Sequence, residues 1–310
     1  MASNKIAFIV NPHAAEGSAG RSWPTIKAMA EDRLGHFSVS FTAGPGDAIV
    51  LTRQALNRGA EVVICVGGDG TLNEVVNGLM GEHGPLRPDA TLGFIPRSTG
   101  CDLAKSVHID RELDRALDII KDAHTCILDL GRIRYQDRCG QPAYRYFHNV
   151  TSFGLGGEVD ERANKTTKAF GGFLSFFWAM LISLLKYDKK RIHLKVDESF
   201  DGEVTIWNVA VANGQYHGGG MWVAPGARVD DGLFHVTVVG DLTLPEVFWN
   251  LPKLYNGKIY QVAQVNSFVG KRVEAISEQR VLMDVDGEQI GALPVVIEMV
   301  PRALHLITAA

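Results

Sequence analysis

Asp69 sits between glycines in the stretch Val62-Val63-Ile64-Cys65-Val66-Gly67-Gly68-Asp69-Gly70-Thr71-Leu72-Asn73-Glu74. A β-branched apolar run stops at two glycines, and a helical apolar period (Leu72, Val75, Val76, Leu79) follows Thr71. The pattern predicts a buried strand, a tight loop and a helix. Backbone N–H groups at a helix N-terminus attract phosphate, and glycines let the main chain approach it closely. A carboxylate inside such an anion site makes chemical sense when a divalent cation lies between it and the phosphate oxygens. By itself Gly-Gly-Asp-Gly is also an ordinary tight turn, so its surroundings decide the reading.

Three further loops have the same texture. They are Asn11-Pro12 with Gly17, Gly20 and Arg21; Thr42-Ala43-Gly44-Pro45-Gly46-Asp47; and Pro96-Arg97-Ser98-Thr99-Gly100-Cys101-Asp102. Each follows a strand pattern, so in a parallel sheet all four loops open on one edge, where such sheets bind ligands. Together they predict a nucleotide phosphate site. None fits G-x-x-x-x-G-K-[ST] or G-x-G-x-x-G, which excludes a P-loop NTPase and argues against a dinucleotide redox fold.

The elements that must position these loops follow from periodicity. Strands are expected at Ile6–Val10, Phe37–Phe41, the run ending at Gly67, and Thr91–Ile95; helices from about Ser22, over Asp47–Leu56, after Thr71, and from near Cys101. This alternation predicts a doubly wound parallel sheet over residues 1–131. After Asp129-Leu130-Gly131 the texture changes. Strand runs at Ile192–Val196, Val204–Val211, Leu233–Val239 and Val295–Met299 predict an antiparallel β-sandwich over 132–310, with a helical insertion near 158–186 and the last residues packing back on the first domain.

At 310 residues the chain is long enough for two cores, and 46% hydrophobic with 21% charged residues suits a globular protein. A net charge of −4 gives no basic field for nucleic acid. Four cysteines without a C-x-x-C pair and ten histidines without H-x-x-x-H spacing exclude the usual zinc and disulfide frameworks. No secretory signal is expected at the start, and a reducing cytoplasm fits.

Five motifs now stand in order: Val10-Asn11-Pro12; Gly67 to Thr71 with Asn73-Glu74; Pro96 to Asp102; Asp230-Asp231-Gly232; and Asp286-Gly287-Glu288. In that order and rough spacing they resemble the diacylglycerol kinase catalytic-domain family, in particular its small soluble bacterial lipid kinases, relatives of sphingosine and ceramide kinases. The resemblance implies an N-terminal nucleotide domain, a C-terminal β-sandwich and a site in the cleft between them, where ATP–Mg²⁺ phosphorylates a lipid hydroxyl. It implies nucleotide contacts from Asn11, Thr42, Gly67, Gly68, Asp69, Gly70, Thr71, Glu74, Ser98 and Thr99. It implies a catalytic Mg²⁺ network of Asp69, Asp102 and Asp129, and a structural Mg²⁺ at Asp231 with carbonyls near Arg228 and Leu233. It implies Asp286 as general base with Glu288 beside it. The implied partner is a membrane lipid met at the inner face of the membrane by a cytoplasmic, peripheral protein; a homodimer is left open.

The chain departs from the family at one loop. Where members usually carry Gly-Thr-x-Asn-Asp, it reads Ser98-Thr99-Gly100-Cys101-Asp102. Ser98 costs backbone freedom if that position needs positive φ, and Cys101 at a helix N-terminus is a candidate low-pKa, oxidation-sensitive thiol. The uncharged run Ala169 to Leu185, flanked by basic residues, is either a helix buried on the sandwich or a membrane-facing element. Asn213 to Gly220, with three successive glycines, is expected to turn close to the cleft, with His217 at the surface. Two other functions stay open: a kinase related to NAD kinase, which shares Gly-Gly-Asp-Gly-Thr, and a catalytically silent lipid- or nucleotide-binding protein.

Overall fold

The computed structural model describes residues 5–98, 100–137, 139–165 and 182–309. Thr99 and most of the apolar run, residues 169–181, lie outside them. The chain divides into two compact units: residues up to Leu130 together with those from Pro301 onward, and Gly131–Val300.

The first unit alternates strand and helix: β1 (Ile6–Val10), α1 (Ser18–Leu34), β2 (Ser38–Phe41), α2 (Asp47–Asn57), β3 (Val62–Gly67), α3 (Asp69–Leu79), a small hairpin β4–β5 (Met80–Gly81, Gly84–Pro85), β6 (Thr91–Pro96), α4 (Asp102–Ser106) and α5 (Leu113–Asp122). The order β2-β1-β3-β6 is parallel throughout, and the chain's last strand adds beside β6 through His305 and Leu306. Central strands are apolar on both faces because helices cover both. Phe8, Val10, Ile64 and Val66 pack with Trp23, Ile26, Leu117 and Ile120 of α1 and α5. On the partner pair α2–α3, Gly78 is required by close approach: a Cβ there would lie 2.5 Å from Thr52 Cβ. Helix α1 begins at Ser18, earlier than the expected Ser22, with Gly20 inside it. The reason is packing, since a Cβ on Gly20 would meet the Pro12 carbonyl at 2.8 Å.

The second unit is antiparallel. Its strands are β7 (Thr125–Gln136), β8 (Pro142–Phe147), β9 (Val150–Gly154), β10 (Lys190–Val196), β11 (Phe200–Ile206), β12 (Asn208–Ala212), the short β13 (Tyr216–His217) and β14 (Met221–Trp222), β15 (Phe234–Val239), β16 (Val265–Gly270), β17 (Arg272–Ile276), β18 (Leu282–Val285) and β19 (Glu288–Ile307). Strands β16-β15-β12-β9-β18 form one ladder, and β11-β10-β17-β19 another. Their inward residues share one core, including Phe153, Leu194, Val211, Phe234, Val236 and Ile297, in which Phe147 stacks on Phe234 at 5.7 Å. The expected single strand Val204–Val211 is two: β11 pairs with β10, whereas β12 pairs with β9 and β15. Trp207 makes the corner, its backbone N–H donating to Val239 and its indole N–H to the Leu242 carbonyl at 2.8 Å. Both halves point apolar residues at the same core, so the hydrophobic pattern runs on through the break. Of the expected insertion, α6 spans Leu155–Lys165 and residues 182–186 are helical.

Candidate active site

The four loops of the first unit meet at the carboxyl edge of its sheet. Register fixes this: Val10 lies opposite both Phe41 and Val66, and Gly67 opposite Pro96. Backbone bonds continue past the strand ends, Asn11 N–H to Val66 O (3.0 Å), Thr42 N–H to Val10 O (2.9 Å) and Arg97 N–H to Gly67 O (2.7 Å). Asn11 Nδ2 donates to Thr71 Oγ1 at 2.9 Å, tying the first loop to the start of α3. A single residue, Gly68, separates β3 from α3. Neither Gly67 nor Gly68 has positive φ. Their bare Cα atoms are used for packing: a Cβ on Gly67 would meet Thr71 at 2.8 Å, and one on Gly68 would meet Ser98 Cβ at 2.7 Å. Positive φ falls instead on Cys101 (49°), not on Ser98.

The Asp69 carboxylate accepts from the Asp102 backbone N–H at 3.0 and 3.2 Å, which fastens the β3–α3 loop to the start of α4. Between the two acids lies Gly100, where a Cβ would come within 3.1 Å of Asp69 Oδ2 and 4.0 Å of Asp102 Oδ2. Asp102 is buried and paired with Lys105 Nζ at 2.7 Å. Asp69 and Asp102 thus both border Gly100, and a pair of carboxylates is a donor set that Mg²⁺ takes together with water and phosphate oxygens. Asp129, the expected third member, accepts at Oδ1 from the Arg302 backbone N–H at 2.6 Å. Among the described residues no group of three or more His, Cys, Asp or Glu is placed to hold a metal. Glu74 shapes the neighbouring loop. Its two oxygens accept from Gly46 N–H (2.7 Å) and Ala48 N–H (3.1 Å), holding the start of α2, while Asp47 Oδ2 holds Ala43 and Gly44 N–H.

Cys101 corrects an expectation. It is fully buried, and burial, with Asp69 next in effect, pushes its thiol up to about 12. A thiol so protonated is a poor nucleophile and a poor oxidation sensor.

In the second unit, Asp286 occupies a left-handed turn (φ 47°) after β18. Its buried carboxylate accepts from three consecutive backbone N–H groups, His148, Asn149 and Val150, each at 3.1 Å. Nδ1 of the fully buried His148 lies 2.8 Å from Asp286 Oδ2. Glu288 pairs with Arg145 at 2.7 Å. Asp231 is exposed and its Oδ1 accepts from Leu233 N–H at 3.0 Å, while Arg228 pairs with Asp230.

The same unit holds an apolar cavity of about 160 Å³ walled by residues including Leu155, Val159, Leu184, Trp207 and Val247. His217 lines it rather than lying at the surface, next to three glycines with positive φ (62°, 86° and 110°). Sequence reasoning missed His148, Ser152 and Asp284; the alternation Met283-Asp284-Val285-Asp286, which turns two acids to one side of a strand, was the available signal.

Two family models match: the diacylglycerol kinase catalytic domain over residues 5–133, and the YegS C-terminal NAD kinase beta sandwich-like domain over 149–308. The diacylglycerol kinase of Staphylococcus carnosus (strain TM300) is 29% identical over 288 residues, covering 93% of this chain and 89% of that one. That of Staphylococcus haemolyticus (strain JCSC1435) is 28% identical over 289 residues, 93% and 83% of the two chains. Among solved structures, a diacylglycerol kinase from Bacillus anthracis str. Sterne has a TM-score of 0.73 at 20% identity, over 100% of this chain and 98% of that one. An NAD kinase from Archaeoglobus fulgidus in complex with ATP has a TM-score of 0.52 at 13% identity, over 98% and 93%. These two structural likenesses speak for the fold.

Proposed function

Starting from the chain's membership of the diacylglycerol kinase catalytic-domain family, we propose that it transfers the γ-phosphate of ATP to a hydroxyl of a membrane lipid such as diacylglycerol, with Asp286 as general base. The observation that carries the reading is the tie between Asp69 and the Asp102 amide at the carboxyl edge of the parallel sheet, beside the N-terminus of α3. Phosphoryl transfer asks the protein for alignment and charge neutralisation, with little covalent work. The α3 N-terminus and the Gly67–Thr71 loop present N–H groups to the phosphates, with Asn11, Thr42 and Ser98 around them. Asp69 and Asp102 are the residues that would hold Mg²⁺, which neutralises charge on the transferring phosphate; Asp231 with the carbonyls of Arg228 and Leu233 is the proposed second site. Asp129 supports the first by fixing the chain at Arg302.

As the lipid oxygen bonds to the γ-phosphorus, the bond from that phosphorus to the β,γ-bridging oxygen breaks and ADP departs. The hydroxyl proton passes to the Asp286 carboxylate. His148 and the three amides hold that carboxylate in one orientation. The apolar cavity favours a lipid acceptor over a dinucleotide, because its wall offers hydrocarbon to hydrocarbon. Peripheral membrane contact is supported by the segment Leu244–Leu254. Val247, Leu251 and Leu254 line the cavity, while Phe248 and Trp249 project into solvent, Trp249 at 85% exposure. Among the described residues no helix is long and apolar enough to cross a membrane.

The test is incubation with γ-labelled ATP and Mg²⁺, with lipid in mixed micelles in one arm and NAD in another. Label in the organic phase as a lipid phosphate supports the reading; label on NAD, or on no acceptor, overturns it.

A further inference from the structure

Asp284 lies two residues before Asp286 and is fully buried. Its Oδ1 accepts from the hydroxyl of Ser152, the residue directly across the β18–β9 pairing. Its Oδ2 lies 3.3 Å from His217 Nε2 and has no hydrogen-bond partner among the described residues. A buried carboxylate oxygen without a well-aligned hydrogen bond is costly, so its persistence calls for a reason. Ser152 and His217, whose side chains contact the Asp284 carboxylate, both lie on the wall of the apolar cavity. Gly156 stands against the same group: a Cβ there would run into Ser152 Oγ and come within 3.0 Å of Asp284 Oδ1. The cavity thus has hydrocarbon over most of its wall and a polar corner backed by an acceptor-only carboxylate. Asp286 follows two residues later, in the turn that ends β18, so the polar corner and the proposed base stand at the same end of one strand.

We propose that Asp284, with Ser152 and His217, receives a second hydrogen-bond donor of the acceptor lipid, so that preferred substrates carry a free hydroxyl or amine next to the hydroxyl that is phosphorylated. The inference rests on the lipid-kinase reading above. A diacylglycerol uses its single hydroxyl in the reaction and leaves only ester oxygens, which are acceptors, for Asp284 to face. A monoacylglycerol keeps a second hydroxyl, and a long-chain amino alcohol keeps an amine. A site built around a buried polar group discriminates strongly against ligands that leave that group unpaired.

The experiment compares kcat/KM for a monoacylglycerol, an amino alcohol and a diacylglycerol of matched chain length, in wild type, Asp284→Asn and Ser152→Ala. Binding of the same lipids without nucleotide is followed in parallel by tryptophan fluorescence, since Trp207 lines the cavity. The expected result is a preference of about tenfold or more for one or both donor-bearing lipids, with the ratio to diacylglycerol collapsing in Asp284→Asn and falling less in Ser152→Ala. The two donor arms decide between hydroxyl and amine. Equal kcat/KM for all three lipids in wild type, or an unchanged ratio in both folded variants, overturns the inference while leaving the kinase reading intact. Should no lipid be phosphorylated, the kinase reading falls; a fluorescence preference for donor-bearing lipids that Asp284→Asn removes then still supports the site, and its absence overturns it.

Discussion

Cys101 and Cys65 are adjacent buried thiols whose environment works against ionisation. Burial raises Cys65 well above the ordinary value of 9.0 and Cys101 to about 12. Alkylation of the native protein at neutral pH is therefore expected at exposed Cys139 and not at Cys101, with peptide mapping as the check; rapid labelling of Cys101 would contradict its burial. The sign of the stability effect follows. The folded state keeps Cys101 protonated where the unfolded chain begins to ionise, so its contribution is intact below pH 9 and is lost as pH rises towards about 12. Thermal melts should fall across that window and fall less in Cys101→Ser. At this scale the sequence was a partial guide. The Gly-Gly-Asp-Gly motif located Asp69, yet that Asp69 would fasten the Asp102 amide depends on two loops meeting across β3 and β6, and short-range spacing does not carry such a contact. His148 carried no local signal at all, because a lone histidine before a strand becomes meaningful only when the turn at Asp286 is brought against it.

Elements explain why Glu74 belongs to the scaffold of the proposed nucleotide edge. Its carboxylate joins α3 to the first turn of α2, where negative charge also suits the helix N-terminus. Glu74→Gln forfeits one charged acceptor and is expected to cost about 1–3 kcal/mol, read as a lower melting temperature and a raised KM for ATP; an unchanged melt would remove Glu74 from this role. The Leu244–Asn250 helix starts with a reciprocal Thr243–Glu246 capping box, so its termination of the preceding loop is firm and its exposed apolar pair is presented on an ordered element. Trp249→Ser should weaken flotation with anionic vesicles several-fold without changing the melt, and wild-type flotation would exclude this contact. Element type was legible wherever a period ran unbroken, as in β1, β3 and α3. It failed at Trp207, where one alternating run serves two ladders, and at Ser18, where packing of Gly20 on Pro12 extends a helix into a stretch whose glycines read as a loop.

At the scale of the whole molecule, the two family models, the alternation of the first unit and the antiparallel ladders of the second describe the same division of labour. The loops proposed to bind phosphate belong to a parallel sheet, and the proposed base, the imidazole of His148 and an apolar cavity belong to the sandwich. The long β19 gives its first part to the second unit and its last residues to the first, so the chain end completes the sheet it began. The return is carried by the parallel pairing of His305 and Leu306 with Thr91 and Leu92 of β6. What the sequence left dark was the lining of the cavity, assembled from segments spread between Ser152 and Leu254 whose proximity exists only in the fold.

The central claim is that Asp286 accepts the proton of a lipid hydroxyl, and the most direct measurement is the lipid-dependent turnover of Asp286→Asn against wild type, with ATP affinity and melting temperature determined on the same samples. The account predicts a loss of turnover of about 10² to 10⁴-fold with ATP affinity unchanged. A folded variant that retains turnover within a few-fold of wild type would contradict it.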